Sequence, residues 1–249
     1  MKAHVLTPRI ERESAIAGLL AQFPLGFEDR GDAFVVYAEA EAALPAALGD
    51  WASHDVPDDW SERWRRFHHG RVIGERLWVG PPWESAPTGP FAVTIDPGQA
   101  FGTGSHATTV LCLELLLGFE QRSAVLDLGC GSGVLGIAAA LLGHPKVFAC
   151  DNDPLAVEAT IENASRNLVD VEAFETDAVY EELPRGVPLW LANIELGPLE
   201  ELACRPDLPP MVIVSGLLER ECYAIPGYEV VERRTLDGWQ ALRLVRAAG

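Results

Sequence analysis

Lysine is nearly absent from this 249-residue chain: Lys2 and Lys146 are its only two, beside 37 Asp and Glu. Schiff-base chemistry and a P-loop phosphate cradle each require a lysine, so both are close to excluded. The formal net charge of −18 repels a phosphate backbone, which nucleic-acid binders attract with clustered Lys and Arg. It suits a basic partner instead. The five cysteines (112, 130, 150, 204 and 222) are an odd number without a C-x-x-C pair. That argues against a disulfide framework or a zinc site, so free structural thiols and no metal are expected. No stretch approaches the roughly 18 unbroken apolar residues that cross a bilayer. The start, MKAHVLTPRIERES, has no apolar signal core, and a cytoplasmic protein without a membrane partner is expected. Apolar residues are plentiful, at 48% of the chain, enough for one large domain or two modest ones.

Three regions follow from the pattern. Residues 1–52 predict a small α+β unit: AHVLTPRI is strand-like, and ERESAIAGLLAQF has helical apolar spacing with acids near its start. A turn and strand follow in GFEDRGDAFVVYAEA, then a short alanine-rich helix in EAALPAALGD. Residues 53–80 predict a helical linker. Trp60, Trp64 and Phe67 stand at i, i+4, i+7, His68 and His69 read as linker surface, and the strand ERLWVG leads into a second domain. From 81 to 249 the chain alternates strand and helix like a doubly wound sheet. The strands are AVLDLG, KVFACD, VEAFETD, PLWLANI and PMVIVSGL, with a helix over VLGIAAALLG that ends at Gly143. DPLAVEATIENASRN predicts a helix with Asp153 as N-cap and Pro154 at its first position. The tail YEVVERRTLDGWQALRLVR reads as an antiparallel pair. The expected class is α/β, a Rossmann-like seven-stranded domain behind a small N-terminal α+β domain.

Two glycine-rich loops carry the chemistry: DPGQAFGTGSHATT at 96–109, and LGCGSG between the first strand and its helix. A strand-to-helix turn at the carboxyl edge of a sheet is where open α/β folds bind ligands. The dinucleotide fingerprint G-x-G-x-x-G needs glycine at 134, where this chain has Val134; Gly129, Gly131 and Gly133 instead give G-x-G-x-G. Asp127 beside the turn would repel a pyrophosphate and attract an ammonium. Asp151 ends the second strand twenty residues after Gly131, where a carboxylate accepts from a ribose diol. Together these predict a nucleoside bearing an amino acid, S-adenosylmethionine. Asp177 could meet the adenine amino group or simply begin a loop. Asn193, at the end of the fourth strand, presents an amide oxygen that can orient an incoming amine. His106 and Thr109 read as helix-start residues.

Gly-x-Gly-x-Gly after a strand, then Asp151, resembles class I S-adenosylmethionine-dependent methyltransferases in general. DPGQAFGTGSHATT followed by VLDLGCGSGVLGIAA, DNDPLAVEA and ANI is similar to the more specific PrmA family, which methylates ribosomal large-subunit protein eleven. Trp60–Phe67 and GERLWVGPPW also resemble that family. The resemblance implies that both loops grip one cofactor. Thr108, Gly129, Asp151 and Asn193 match the family's contact positions, with Gly131 in the same turn and Phe101 and Gly102 near the methionine end. It implies N-methylation, repeated on the same protein, of lysine side chains or the N-terminal amine, with the N-terminal domain recognising a basic ribosomal protein. No direct nucleic-acid binding is expected, and a monomer is. ANIEL departs from the pattern at Glu195, and the helix after it looks short. No general base stands out. Nucleobase and glutamine N-methyltransferases share the fold, but Asn-Ile-Glu-Leu lacks the prolines and aromatic of their Asn-Pro-Pro-Tyr. A non-catalytic nucleotide sensor is the alternative from another class.

Overall fold

Alternating burial defines the first sheet. In Lys2–Pro8 (β1) His4 and Leu6 are buried while their neighbours are not, the period-two signature of a half-buried strand. The computed structural model describes residues 2–11, 15, 19, 28–29, 31–38, 44–55, 69–96, 104 and 106–247. The chain divides into two units, Met1–Phe67 and His68–Gly249. In the first, Glu28–Asp29 (β2), Phe34–Ala38 (β3) and Gly49–Asp55 (β4) join β1 in the order β2-β3-β1-β4. Leu6, Phe34, Val36 and Leu48 pack with the helical residues Ala15 and Leu19.

The expected alanine-rich helix at 41–50 is not formed over its described residues, 44–50. Pro45 opens a turn closed by Leu48 N–H donating to its carbonyl at 3.1 Å, as a ring inside a helix would dictate. The chain then extends into β4, whose last three residues fall in the expected linker. Its polar residues hid it, yet one has a partner across the sheet: Ser53 Oγ lies 2.8 Å from Nδ1 of buried His4. Of the expected linker, residues 56–68, with Trp60, Trp64, Phe67 and His68, lie outside the described residues. Its last ten form a hairpin instead: Arg71–Ile73 (β5) and Leu77–Gly80 (β6) flank a turn, joined by Phe91–Thr94 (β7) in a three-stranded sheet β5-β6-β7. His69 Nδ1 lies 2.8 Å from Glu84 Oε1, and its side chain is largely exposed.

The rest of the second unit is the doubly wound sheet. Ala107–Leu117 (α1), Val125–Leu128 (β8), Val134–Leu141 (α2), Val147–Asp151 (β9) and Pro154–Arg166 (α3) lead to Glu172–Glu175 (β10). Leu189–Asn193 (β11), Leu196–Leu202 (α4), Met211–Leu218 (β12), Tyr228–Leu236 (β13) and Trp239–Arg246 (β14) complete it. The order is β10-β9-β8-β11-β12-β14-β13, with β14 alone reversed and so antiparallel to both its neighbours, β12 and β13. Helix α3 begins as its sequence dictates, with Asp153 capping Leu155 N–H at 2.9 Å and Pro154 at its first position. Strand residues alternate between two cores. Val125, Leu189 and Leu191 face α1 and α2, whereas Leu126, Leu128, Trp190 and Ala192 face α4. All five cysteines are free thiols, and Cys112, Cys130 and Cys150 are buried.

Candidate functional site

The strand order reverses between β8 and β11, and a cavity of about 540 Å³ opens there. Such a switch point, at the carboxyl ends of the strands, is where this architecture leaves room for a ligand. Its walls come from the ends of β8, β9 and β11, from the start of α1, and from the first residue of β14. Thr108, Gly129, Gly131, Asp151 and Asn193 all line it. Five residues singled out from the sequence are thus brought together. Phe101 and Gly102 lie outside the described residues.

The second glycine loop is held by its own backbone. Gly129 and Cys130 N–H both donate to Cys150 O, at 2.9 and 3.0 Å. Gly129 adopts φ +67°, and a Cβ there would stand 2.4 Å from Ile194 Cγ2, so only glycine fits both the turn and the approach of β11. Asp151 is clamped from two sides: Oδ2 accepts from Gly131 N–H at 3.0 Å and Oδ1 from Asp153 N–H at 3.1 Å. Each oxygen keeps further lone pairs for a ligand. Thr160 Oγ1 ties α3 to the loop by donating to Gly131 O at 3.1 Å.

Asp127 corrects the sequence reading. It shares the face of Val125, so it points beneath the loop toward α2, where Oδ2 accepts from Gly136 N–H at 2.8 Å. It is 1% exposed, does not line the cavity, and its Oδ1 has no hydrogen-bond partner. The charge facing the cavity comes instead from Asp151, Asp177 and Glu195. Burial, only partly offset by the Gly136 bond, pushes the Asp127 carboxyl up to about 7, with the Asp151 charge adding to the rise. An unfolded aspartate titrates near 3.9. The folded state therefore binds the extra proton between about pH 4 and 7, and stability falls as pH rises through that window. The loss attributable to Asp127 is at most about 4 kcal/mol, at roughly 1.4 kcal/mol per pH unit. Urea unfolding across pH 4–8 should show Asp127→Asn with a flatter profile than wild type; parallel profiles would refute the assignment.

The start of α1 supplies a polar row on an otherwise apolar helix. His106 is the N-cap, with Nδ1 accepting from Thr108 N–H at 3.4 Å and lying 2.8 Å from Thr108 Oγ1. The next hydroxyl, Thr109 Oγ1, accepts from Asn193 Nδ2 at 3.2 Å. His106 thus fills the helix-start role expected of it, whereas Thr109 spends its hydroxyl on Asn193.

Two further residues complete the walls. Trp239, the first residue of β14, lines the cavity and meets His106 edge-on at 5.2 Å between ring centroids. Its place in the sequence points to a turn and to no site role, since no local spacing connects it to residue 106. Glu195 lines the cavity at the start of α4 without a side-chain capping bond, and α4 is short, at seven residues. Asp177 also lines the cavity while its Oδ1 accepts from Val179 N–H at 3.0 Å, so it both forms a turn and faces the ligand space. Cys130 lines it too, but burial pushes its thiol well up, so it offers no thiolate at neutral pH. Among the described residues, no group of three or more His, Cys, Asp or Glu is placed to hold a metal.

A seven-stranded sheet ending in an antiparallel pair, with a G-x-G-x-G turn and a strand-end Asp at its switch point, defines a Rossmann-like S-adenosylmethionine-dependent methyltransferase. The same fold is found in the tRNA (uracil-54, C5)-methyltransferase of Pyrococcus abyssi in complex with S-adenosyl-L-homocysteine. That likeness has a TM-score of 0.51 at 17% identity, over 83% of this chain and 49% of that one. The sequence profile of ribosomal protein L11 methyltransferase (PrmA) matches residues 34–247, and the chain belongs to that family. It is 38% identical over 243 residues to the ribosomal protein L11 methyltransferase of Methylococcus capsulatus, covering 88% of this chain and 80% of that protein. With the Pseudomonas aeruginosa protein of the same name identity is 44% over 190 residues, or 72% of this chain and 64% of that one. A crystal structure of ribosomal protein L11 methylase from Lactobacillus delbrueckii subsp. bulgaricus aligns with TM-score 0.66 at 27% identity, over 72% of this chain and all of that one.

Proposed function

We propose that this protein transfers methyl groups from S-adenosylmethionine to amine nitrogens of ribosomal protein L11, on lysine side chains or the N-terminal amine, and repeatedly. The observation that supports this most is the single cavity in which the Gly129–Gly131 turn, Asp151 and Asn193 meet. The residues suit the ligand. Asp151 keeps lone pairs for a ribose diol, and Gly129 and Gly131, both at positive φ, make the tight turn that lines the space beside it. Asp151, Asp177 and Glu195 face the space with negative charge, which favours a sulfonium and an ammonium over a pyrophosphate. We assign Thr108, Gly131, Phe101 and Gly102 to cofactor binding with them, the last two on the resemblance of their loop.

S-adenosylmethionine supplies an electrophilic methyl group; the protein must supply a neutral, aligned amine. Removing the proton from a lysine of pKa near 10.4 costs roughly 4–5 kcal/mol at pH 7, and enclosure in an apolar-walled cavity lowers that pKa and recovers part of the cost. Asn193 Oδ1 accepts no hydrogen bond among the described residues, whereas its Nδ2 is engaged by Thr109. That oxygen is the candidate acceptor for an N–H of the incoming amine, which would aim the lone pair at the methyl. The proton leaves to water, and a methylated amine must rotate before the next round.

The remaining assignments belong to the same proposal. Residues 1–52 recognise the substrate, 53–80 link, and 81–249 carry the chemistry. The protein acts as a monomer in the cytoplasm on free L11, since a charge of −18 attracts a basic protein and is repelled by RNA. No helix among the described residues is long and apolar enough to cross a membrane. Intact-mass spectrometry of purified L11 incubated with this protein and S-adenosylmethionine should show gains in steps of one methylene, mapping to lysines or the N-terminal amine. Unchanged L11 mass would overturn the substrate assignment.

A further inference from the structure

We infer that Thr109 is a positioning residue: its hydroxyl holds the Asn193 carboxamide so that Oδ1, rather than Nδ2, faces the incoming amine. The inference rests on the reading of Asn193 given above and extends it to a residue 84 positions away.

Strand alternation brings the two together. Along β11, Leu189 and Leu191 belong to the core under α1 and α2, so Asn193, two residues on, emerges on the same face at the strand's carboxyl end. Helix α1 packs on that face, against β11, β12, β13 and β14. Its flanks are Val110, Leu111, Leu113 and Leu116, all buried, and Thr109 is itself fully buried. A hydroxyl in such surroundings is costly unless it is hydrogen-bonded. The bond it makes is to Asn193 Nδ2 at 3.2 Å.

An amide side chain can rotate by half a turn with little change in shape, exchanging donor for acceptor. In a transfer site the two orientations differ in kind. With Oδ1 toward the cavity, Asn193 accepts from an amine N–H and leaves the lone pair free. With Nδ2 toward the cavity, it donates to that lone pair and blocks attack on the methyl. In the structure Thr109 Oγ1 accepts from Nδ2, and a carboxamide held that way leaves Oδ1 for the incoming amine. Thr108 Oγ1 lies instead 2.8 Å from His106 Nδ1, so the two adjacent threonines have different partners.

The test pairs a signal from the bond with one from the reaction. Thr109→Val keeps the β-branched shape and removes the hydroxyl; Thr109→Ser keeps the hydroxyl. In ¹H–¹⁵N spectra the side-chain amide pair of Asn193, assigned by its loss in Asn193→Ala, should move in Thr109→Val and return close to its wild-type position in Thr109→Ser. Methyl transfer to L11 should fall about tenfold in kcat in Thr109→Val, as loss of one orienting hydrogen bond implies. The serine variant should recover most of the rate, and S-adenosylmethionine affinity should stay within about twofold throughout. An unmoved amide signal overturns the bond, and a moved signal with unchanged kcat overturns its positioning role. If wild-type protein leaves L11 unmodified, the substrate reading fails, while the amide signal still decides the Thr109 contact.

Discussion

Asp151→Ala should weaken S-adenosylmethionine binding at least tenfold, read as the dissociation constant by isothermal titration calorimetry. The carboxylate now anchors Gly131 N–H through Oδ2 and Asp153 N–H through Oδ1, and its spare lone pairs are assigned to the ribose hydroxyls. Truncation removes the ribose acceptors and loosens the turn at once. Hydrogen bonds to a charged group are worth about 1.5–3 kcal/mol each, and every 1.4 kcal/mol is tenfold in affinity. Asp151→Asn, which keeps one oxygen, should fall between wild type and alanine. The pair separates the two contributions: a drop in thermal midpoint common to both variants reports the turn, and the difference in affinity reports the ribose. Unchanged affinity in Asp151→Ala would remove the ribose from this position.

The largest stability effect is expected at Gly216. It sits in β12 at φ +90°, and a Cβ there would lie 2.1 Å from Ile194 O and 2.8 Å from Ile194 C. Those are backbone atoms next to Asn193, so no rotamer change relieves the overlap. Register between β12 and β14 already shifts between Val214 and Leu217, as expected where a strand bends at the edge of a site. Gly216→Ala should cost about 3 kcal/mol or more, combining left-handed strain with overpacking. That is roughly 6–12 °C in thermal midpoint for a domain of this size. Gly143 has almost the same φ, +91°, with nothing within 4 Å of an added Cβ, so Gly143→Ala reports the strain alone and should cost about 1 kcal/mol. Equal shifts in the two variants would show that the approach of β11 does not require a glycine. Because the displaced atoms adjoin Asn193, Gly216→Ala should also lose methyl transfer at temperatures where it remains folded.

What was legible in the sequence was local. Val125–Leu128 is a short, mostly apolar run ended by Gly129, and Asp153-Pro154 sets the start of α3 within two residues, so both stand where spacing put them. Asp151 at a strand end, a fixed distance past a glycine turn, was equally readable. Elements whose stability comes from elsewhere were not. Strand β4 is polar and forms because β1 lies beside it, with Ser53 meeting His4. The short strand Phe91–Thr94, overlooked in the sequence, is recruited by Leu77–Gly80. The site shows the same division. Sequence spacing names Asp127 as a neighbour of the loop but not the face it takes, and strand alternation turns it under the sheet. Trp239 and the Thr109–Asn193 bond join segments more than eighty residues apart, a relation that exists only once the sheet has closed.

A crystal structure of the protein soaked with S-adenosylhomocysteine tests the account at its centre. The expected result is one molecule in the cavity between Gly129 and Asn193, with both ribose hydroxyls on Asp151 and the sulfur turned toward Asn193 Oδ1. Density for the nucleoside elsewhere, or a sulfur facing away from Asn193, would contradict it.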